Sequence, residues 1–537
     1  MFRKLVITGS FIAILAVPPG AQLLAYAAAD APLADAAMQG DREAVKSLLS
    51  QGADVNSAQG DGSTALHWAA YRNDTEVAGL LVEAGADVRA RTRLGGLTPL
   101  LLAAKDGNAE VIELLLEAGG DANFSDSNGT TPLMYSAASG DTDAVQVLLD
   151  HDANVDATDK TNGQTALMFA SARGRARIVR MLGAAGADPG VLTKLSDVIR
   201  WKDRYRDEDG NATVRESRTE AFSGGFSALH FAAREGRLEV AKELVAAGAA
   251  VDLVATSDKA SPMNAALING NLDVAGFLLD QGADPNLANK DGVAPLYATI
   301  DARWAERTWY PAPSIEEEAT DYLDLLEALL KAGANPDPRL IKKPAYRTNH
   351  GDWIRPEGAT AFWLAAKAND VGAMKLLIAA GANPSIPTKG GASPLLAAAG
   401  YGYEPQVTNF APEARLEAVR YLVEIVGADV TRGNNQGYTP LHGAALTTDD
   451  DVILYLMAMG ADVHARASQV FGDGGRADLE VDEETGDTVA DMANGPKAHN
   501  MQYPGTVKFL ESLGSKNSNH CRASTCVVRT VETEPEP

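Results

Sequence analysis

Apolar residues recur along this chain in short runs at helical spacing, and small or polar residues break the runs at regular intervals. Val111, Leu114 and Leu115 fall at i, i+3 and i+4, as do Val45, Leu48 and Leu49, so each set lies on one face of a helix. A Gly-Ala-Asp/Asn-Val/Pro element follows these runs, starting at Gly52, Gly85, Gly186, Gly282, Gly333, Gly381, Gly427 and Gly460, with variants at Gly119, Asp152 and Gly248. Ahead of them stands a second landmark: TALH at Thr64, TPLL at Thr98, TPLM at Thr131, TALM at Thr165, SALH at Ser227, SPMN at Ser261, APLY at Ala294, TAFW at Thr360, SPLL at Ser393, TPLH at Thr439 and a worn TVAD at Thr488. The Thr or Ser predicts a helix N-cap, and Pro at the next position sacrifices no needed N–H. A glycine such as Gly107, Gly140, Gly174 or Gly236 predicts the end of that first helix in the left-handed conformation.

A helix pair of about 33 residues cannot bury its apolar face alone, so neighbours must stack into a solenoid. Period, tetrapeptide and Gly-Ala-Asp element resemble the ankyrin-repeat family over residues 31 to 514, with ADAAMQGDREAVKSLLSQGADVN as a degenerate first unit. The resemblance implies an all-α solenoid of about twelve helix-turn-helix units with short β-hairpins. It also implies protein binding by hairpin tips and first helices, without catalysis or cofactor.

Intervals between tetrapeptides run 34, 33, 34, 62, 34, 33, 66, 33, 46 and 49 residues, and the long ones locate insertions. The organisation expected is repeats over 31–192, a hairpin insertion at 193–223, repeats over 224–336 with an insertion at 303–320, a second hairpin insertion at 337–357, and repeats over 358–514 interrupted at 401–413 and 467–486. A flexible tail, 515–537, follows. Four of the six tryptophans, Trp201, Trp304, Trp309 and Trp353, fall in insertions, joined by Tyr205, Tyr310, Tyr346, Tyr401, Tyr403 and Phe410. Aromatic and Arg side chains dominate interface hot spots, which makes Trp201, Arg204, Tyr205, Arg206, Trp309, Tyr310, Tyr346, Arg347 and Trp353 the candidate partner contacts. The competing expectation is that these aromatics fold back over neighbouring repeats, since large apolar groups are seldom left exposed. Within WKDRYRDEDGNATVRE (201–216), alternation and Asp209-Gly210 predict a β-hairpin with Tyr205 opposite Val214 and Arg204 opposite Arg215.

Composition narrows the partner. Asp and Glu outnumber Lys and Arg 72 to 47, a formal charge of −25, which repels nucleic-acid phosphates over most of the surface. Arg3 and Lys4, the apolar run Leu5 to Val17 and the small residues Ala25, Ala27 and Ala29 have the layout of a signal peptide over 1–29. That run is shorter than the ~20 residues a membrane-spanning helix needs. The expectation is a periplasmic or secreted monomer with no span in the mature chain. Cys521 and Cys526, the only cysteines, are then expected to form a local disulfide.

Candidate chemistry is sparse: no Walker loop, G-x-S-x-G or H-E-x-x-H is present. Asp207, Asp209 and Asn211 sit like the first ligands of a calcium loop, but Ala212 replaces the required Gly and Arg218 the final acid. His67, His230 and His442 all hold the fourth tetrapeptide position, where other copies carry Leu101, Met134, Met168, Tyr297, Trp363 or Leu396, so the slot reads as packing. Beside the scaffold reading stand three others: an accessory subunit or chaperone of an exported enzyme, an effector secreted into another cell, and an enzyme or small-ligand binder with its site built between the fingers.

Overall fold

The computed structural model describes residues 31–198, 203–206, 212–215, 221–305, 313–344, 356–403, 414–468, 486–493 and 503–517; between 197 and 222 only the backbone is described. The signal-peptide segment, the cysteines and most of the candidate contacts, Trp201, Trp309, Tyr310, Tyr346, Arg347 and Trp353, lie outside the described residues.

Helices come in pairs. In chain order they are α1 (Pro32–Gln39) and α2 (Arg42–Ser50), α3 (Ala65–Tyr71) and α4 (Thr75–Glu83), α5 (Pro99–Asp106) and α6 (Ala109–Glu117), α7 (Pro132–Ser139) and α8 (Thr142–Asp150), α9 (Ala166–Ala172) and α10 (Ala176–Ala184), α11 (Ala228–Arg234) and α12 (Leu238–Ala246). There follow α13 (Pro262–Ile268) and α14 (Leu272–Asp280), α15 (Pro295–Arg303) and α16 (Tyr322–Lys331), α17 (Ala361–Lys367) and α18 (Val371–Ala379), α19 (Pro394–Ala398) and α20 (Arg415–Arg420), α21 (Pro440–Thr447) and α22 (Asp450–Ala458), α23 (Val489–Met492) and α24 (Pro504–Ser512). α20 runs on into a π-helical turn, Tyr421–Ile425.

Each pair is built from local chemistry. In α5 the Thr98 hydroxyl accepts from the Leu101 N–H, Pro99 opens the helix, and Gly107 closes it at φ 75°. The second helices carry caps of their own, with Asp74, Asp141, Asp370 and Asp449 accepting from the N–H groups of Val77, Ala144, Ala373 and Val452. First helices stack on first helices and second on second. Alanines at the contact, such as Ala65, Ala69, Ala103 and Ala137, allow close approach, and one core runs unbroken from Leu33 to Leu510.

The insertion at 193–223 forms two two-stranded antiparallel sheets. β1 (Ser196–Val198) pairs with β4 (Ala221–Ser223), and β2 (Asp203–Arg206) with β3 (Ala212–Arg215). The register differs by one residue from that expected: Arg204 pairs with Val214 and Tyr205 with Thr213. The shift moves Arg215 from Arg204 to Asp203, which replaces like charges by opposite ones across the ladder. At the base, the Thr193 N–H donates to Phe226 and the Gly225 N–H to Thr193, closing the finger on the solenoid.

Between other units the short β-hairpins expected are reduced to turns. Among the described residues only the Ala58–Thr64 and Arg466–Thr488 bridges stand outside the named strands. The reason is competition by side chains: Asp126 accepts from the N–H groups of Asn128 and Thr130, and Asp159 from those of Asn162 and Gln164, so these groups are taken before a ladder can use them.

Candidate protein-binding face

The turns do pair, but with neighbouring repeats. Backbone N–H groups of Arg93, Ser127, Lys160 and Lys194 donate to the carbonyls of Asp61, Gly95, Asn128 and Asn162 in the preceding tip at 2.7–2.8 Å. The same bond recurs beyond the finger, from Thr256 to Gly225, Lys290 to Asp258, Ile341 to Asp291, Lys389 to Glu357, Asn435 to Gly390 and Ser468 to Gln436. Close approach requires glycine at the tip. A Cβ on Gly129, at φ +83°, would stand 2.6 Å from the Lys160 nitrogen. A second row ties the Gly-Ala-Asp elements together, with the fifth-position side chains of Asn56, Asn123, Asp156, Asp252, Asn286 and Asp337 accepting from N–H groups one repeat on. The tips thus form a continuous, hydrogen-bonded edge.

In the angle between that edge and the first helices lies a row of half-buried residues, Trp68, Leu102, Tyr135 and Phe169. The Trp68 indole donates to Gln59 Oε1 at 2.8 Å, and the Tyr135 hydroxyl donates to Asp126 Oδ2 at 2.9 Å, so both side chains lean on their own tips. Burial, with the bond to Asp126, pushes the Tyr135 phenol up to about 12. Tyr71 meets Trp68 edge to face at 6.0 Å and is half exposed.

The tetrapeptide histidines do more than pack. Each Nδ1 accepts from the backbone N–H of its own cap, Thr64, Ser227 or Thr439, at 3.1 Å. That leaves Nε2 as the donor, to the carbonyl just ahead of the next tetrapeptide: Leu97, Ala260 or Asp487. Trp363 and Asn264 reach the equivalent carbonyls of Ala392 and Val293. Burial holds His67 and His230 below the usual imidazole value, and both are neutral Nε2–H tautomers. Among the described residues no group of three His, Cys, Asp or Glu is placed to hold a metal, and no helix is long and apolar enough to cross a membrane.

The described insertion aromatics turn toward the scaffold. Trp304 donates from its indole to Asp370 Oδ2 at 2.8 Å, Tyr322 donates to the same oxygen at 3.0 Å, and the Arg303 guanidinium lies 4.4 Å from the Trp304 ring centre. Tyr401 is buried, accepts from Asn434 Nδ2 at 2.9 Å, and is pushed up to about 12 by burial. Of the candidate contacts, Arg204, Tyr205 and Arg206 lie in β2, where their backbone is placed.

A family model described as "Ankyrin repeats (3 copies)" matches residues 33–126, 100–193 and 210–289, and one described as "Ankyrin repeat" matches 357–389 and 436–468, together more than half of the chain. The chain belongs to the ankyrin-repeat family. Its relatives include alpha-latrocrustotoxin-Lt1a of Latrodectus tredecimguttatus, 28% identical over 215 residues, which are 40% of this chain and 13% of the toxin. A probable E3 ubiquitin-protein ligase, XBOS32, of Oryza sativa subsp. japonica is 30% identical over 223 residues, 41% of this chain and 38% of the ligase. A putative ankyrin repeat-containing protein of Treponema pallidum (strain Nichols) is 31% identical over 110 residues, 20% of this chain and 35% of its own. This ankyrin-repeat chain therefore spans well under half the length of each.

Cations also stand at the tips, apart from the candidate contacts of the insertions. A signal was present: Arg93, Lys160, Lys290 and Lys389 each stand four or five residues ahead of a tetrapeptide.

Proposed function

We propose that this protein is an exported, non-catalytic scaffold that binds a partner protein along the angle between its tip edge and first helices. The observation that carries the reading is the row Trp68, Leu102, Tyr135 and Phe169, held half-buried beside a hydrogen-bonded edge that runs from Asp61 to Ser468. A preformed surface of this kind loses little conformational entropy on binding, and its aromatics supply area at low entropic cost. The relatives' names describe a toxin and a probable ubiquitin ligase, and this chain spans 13% of the one and 38% of the other, so neither activity is carried over to it. The layout of residues 1–29 supports export, to the periplasm or outside the cell.

The test is photo-crosslinking in the producing cell, with a photoreactive amino acid at Leu102 or Phe169 and, as controls, at the exposed second-helix positions Glu83 and Glu117. A discrete adduct from Leu102 or Phe169, absent from both controls, is the expected result. Adducts from the controls alone would overturn the reading.

A further inference from the structure

On a chain of formal charge −25, the tip edge presents cations. The residue that donates the inter-tip bond is Arg93, Lys160, Lys194, Lys290 or Lys389 in five of the ten described steps and is acidic in none. All five side chains are exposed, and among the described residues none of them pairs with a carboxylate within 4.0 Å. Most tip carboxylates are engaged locally: buried Asp126 and Asp159 accept from nearby backbone N–H groups, Asp61 accepts from Ser63, Asp258 from Ala260, and buried Asp291 faces Lys342 Nζ at 3.0 Å. Lys194 and Lys290 lie along the edge, each ammonium donating to a carbonyl of the preceding tip, Lys160 or Ser257, at 2.9 Å. An ammonium has three donors, so each keeps two for a ligand. Large exposed aliphatics stand on the same edge: Leu94 next to Arg93, Leu195 next to Lys194, and Ile341, itself an inter-tip donor, with Leu94 81% exposed.

We infer that the tip edge docks an extended acidic polypeptide segment, with carboxylates on the cations and aliphatic side chains between them on Leu94, Leu195 and Ile341. Repeats advance by ~10 Å, the spacing of packed helices, and an extended chain rises about 3.3 Å per residue. One carboxylate at every third residue therefore keeps the spacing of the tips, and those that fall at Arg93, Lys160, Lys194, Lys290 and Lys389 meet a cation. Each strand of a nucleic-acid duplex carries a phosphate about every 3.4 Å of helix axis, so most of its charges would meet no cation on a strongly acidic molecule. The inference rests on the scaffold reading and adds the chemistry of the partner.

The probe is a fluorescein-labelled peptide, (Glu-Ser-Val)6, compared with (Gln-Ser-Val)6 and with oligo(dT) of equal charge, titrated with the chain lacking residues 1–29. The Glu peptide is expected to bind at least tenfold more tightly than either competitor, and more weakly as salt rises from 50 to 300 mM. Lys160→Glu/Lys194→Glu/Lys290→Glu/Lys389→Glu should weaken it at least tenfold with an unchanged melting temperature. The matching Lys→Gln variant serves if the charge reversals disturb folding. Equal binding of the Glu and Gln peptides, oligo(dT) binding as tightly, or affinity unaffected by either quadruple variant overturns the inference. Photo-crosslinks at Leu102 or Phe169 that persist in the quadruple variant would show that the scaffold reading survives such a failure.

Discussion

His67 and His230 show how one side chain joins two repeats at a cost in pH tolerance. Nδ1 accepts from the cap N–H while Nε2 donates to the next repeat, and only the neutral ring can do both. Protonation would replace the acceptor by a donor facing the Thr64 or Ser227 N–H. Burial lowers the folded pKa of both below the unfolded value of about 6.5. Above that value both states are neutral and pH has no effect through these groups. As pH falls below it, the unfolded chain takes protons that the folded chain refuses, so stability falls by up to about 1.4 kcal/mol per pH unit per histidine until the folded pKa is reached. The melting temperature should therefore drop from pH 7.5 to 5.5. His67→Leu/His230→Leu, which imports the residue already present at Leu101 and Leu396, should flatten that slope. An equal slope in the double variant would remove these histidines as its cause.

At the scale of the element, the insertion after α15 acts as a strap. Glu318 Oε2 accepts from the Asp273 N–H at the start of α14, while Asp273 accepts from the N–H groups of Ala319 and Thr320 and from the Thr320 hydroxyl. Burial opposes the ionised form of Asp273, but these bonds outweigh it and hold its pKa down. Trp304 and Tyr322, at the two ends of the strap, both donate to buried Asp370, whose other oxygen caps α18. Trp304→Phe alone leaves Tyr322 as donor and should cost about 1 kcal/mol in urea unfolding. Trp304→Phe/Tyr322→Phe strips Oδ2 of both and should cost about 3 kcal/mol or more, beyond the sum of the single changes. An additive double variant costing under about 1 kcal/mol would mean that Asp370 does not bind the units together. Tetrapeptides, caps and glycine stops were legible in the chain because each is decided within a few residues, Thr98, Pro99 and Gly107 being enough for α5. The destination of Trp304 was not, because Asp370 stands 66 residues on, nor were the histidine acceptors, about 30 residues away or more. The finger register differs by one from that predicted by a tight turn at Asp209-Gly210, because it sets Asp203 opposite Arg215 and avoids like charges across the strands.

For the whole molecule, stability is a sum of units and nearest-neighbour interfaces, so the place of an inserted segment decides whether it matters to folding. The finger at 196–223 leaves the solenoid from a closed base. Thr193 is bonded to Phe226 and Gly225, Lys194 to Asn162 on one side, and Gly225 to Thr256 on the other, while α9 packs directly on α11. The edge therefore runs past the finger without using it. Replacing residues 196–223 with Asn-Gly should leave the far-ultraviolet spectrum helical and the melting temperature within about 2 °C. Leu229→Ala, a few residues away but inside the core, removes a fully buried side chain and should cost about 2–5 kcal/mol. Because that cost falls on one interior unit, it should also broaden or split the transition as the repeats on either side uncouple. A fall of more than about 5 °C on removing the finger would show it to be a clamp across neighbouring repeats, and Arg204, Tyr205 and Arg206 would then belong to the scaffold and no longer to the surface offered to a partner.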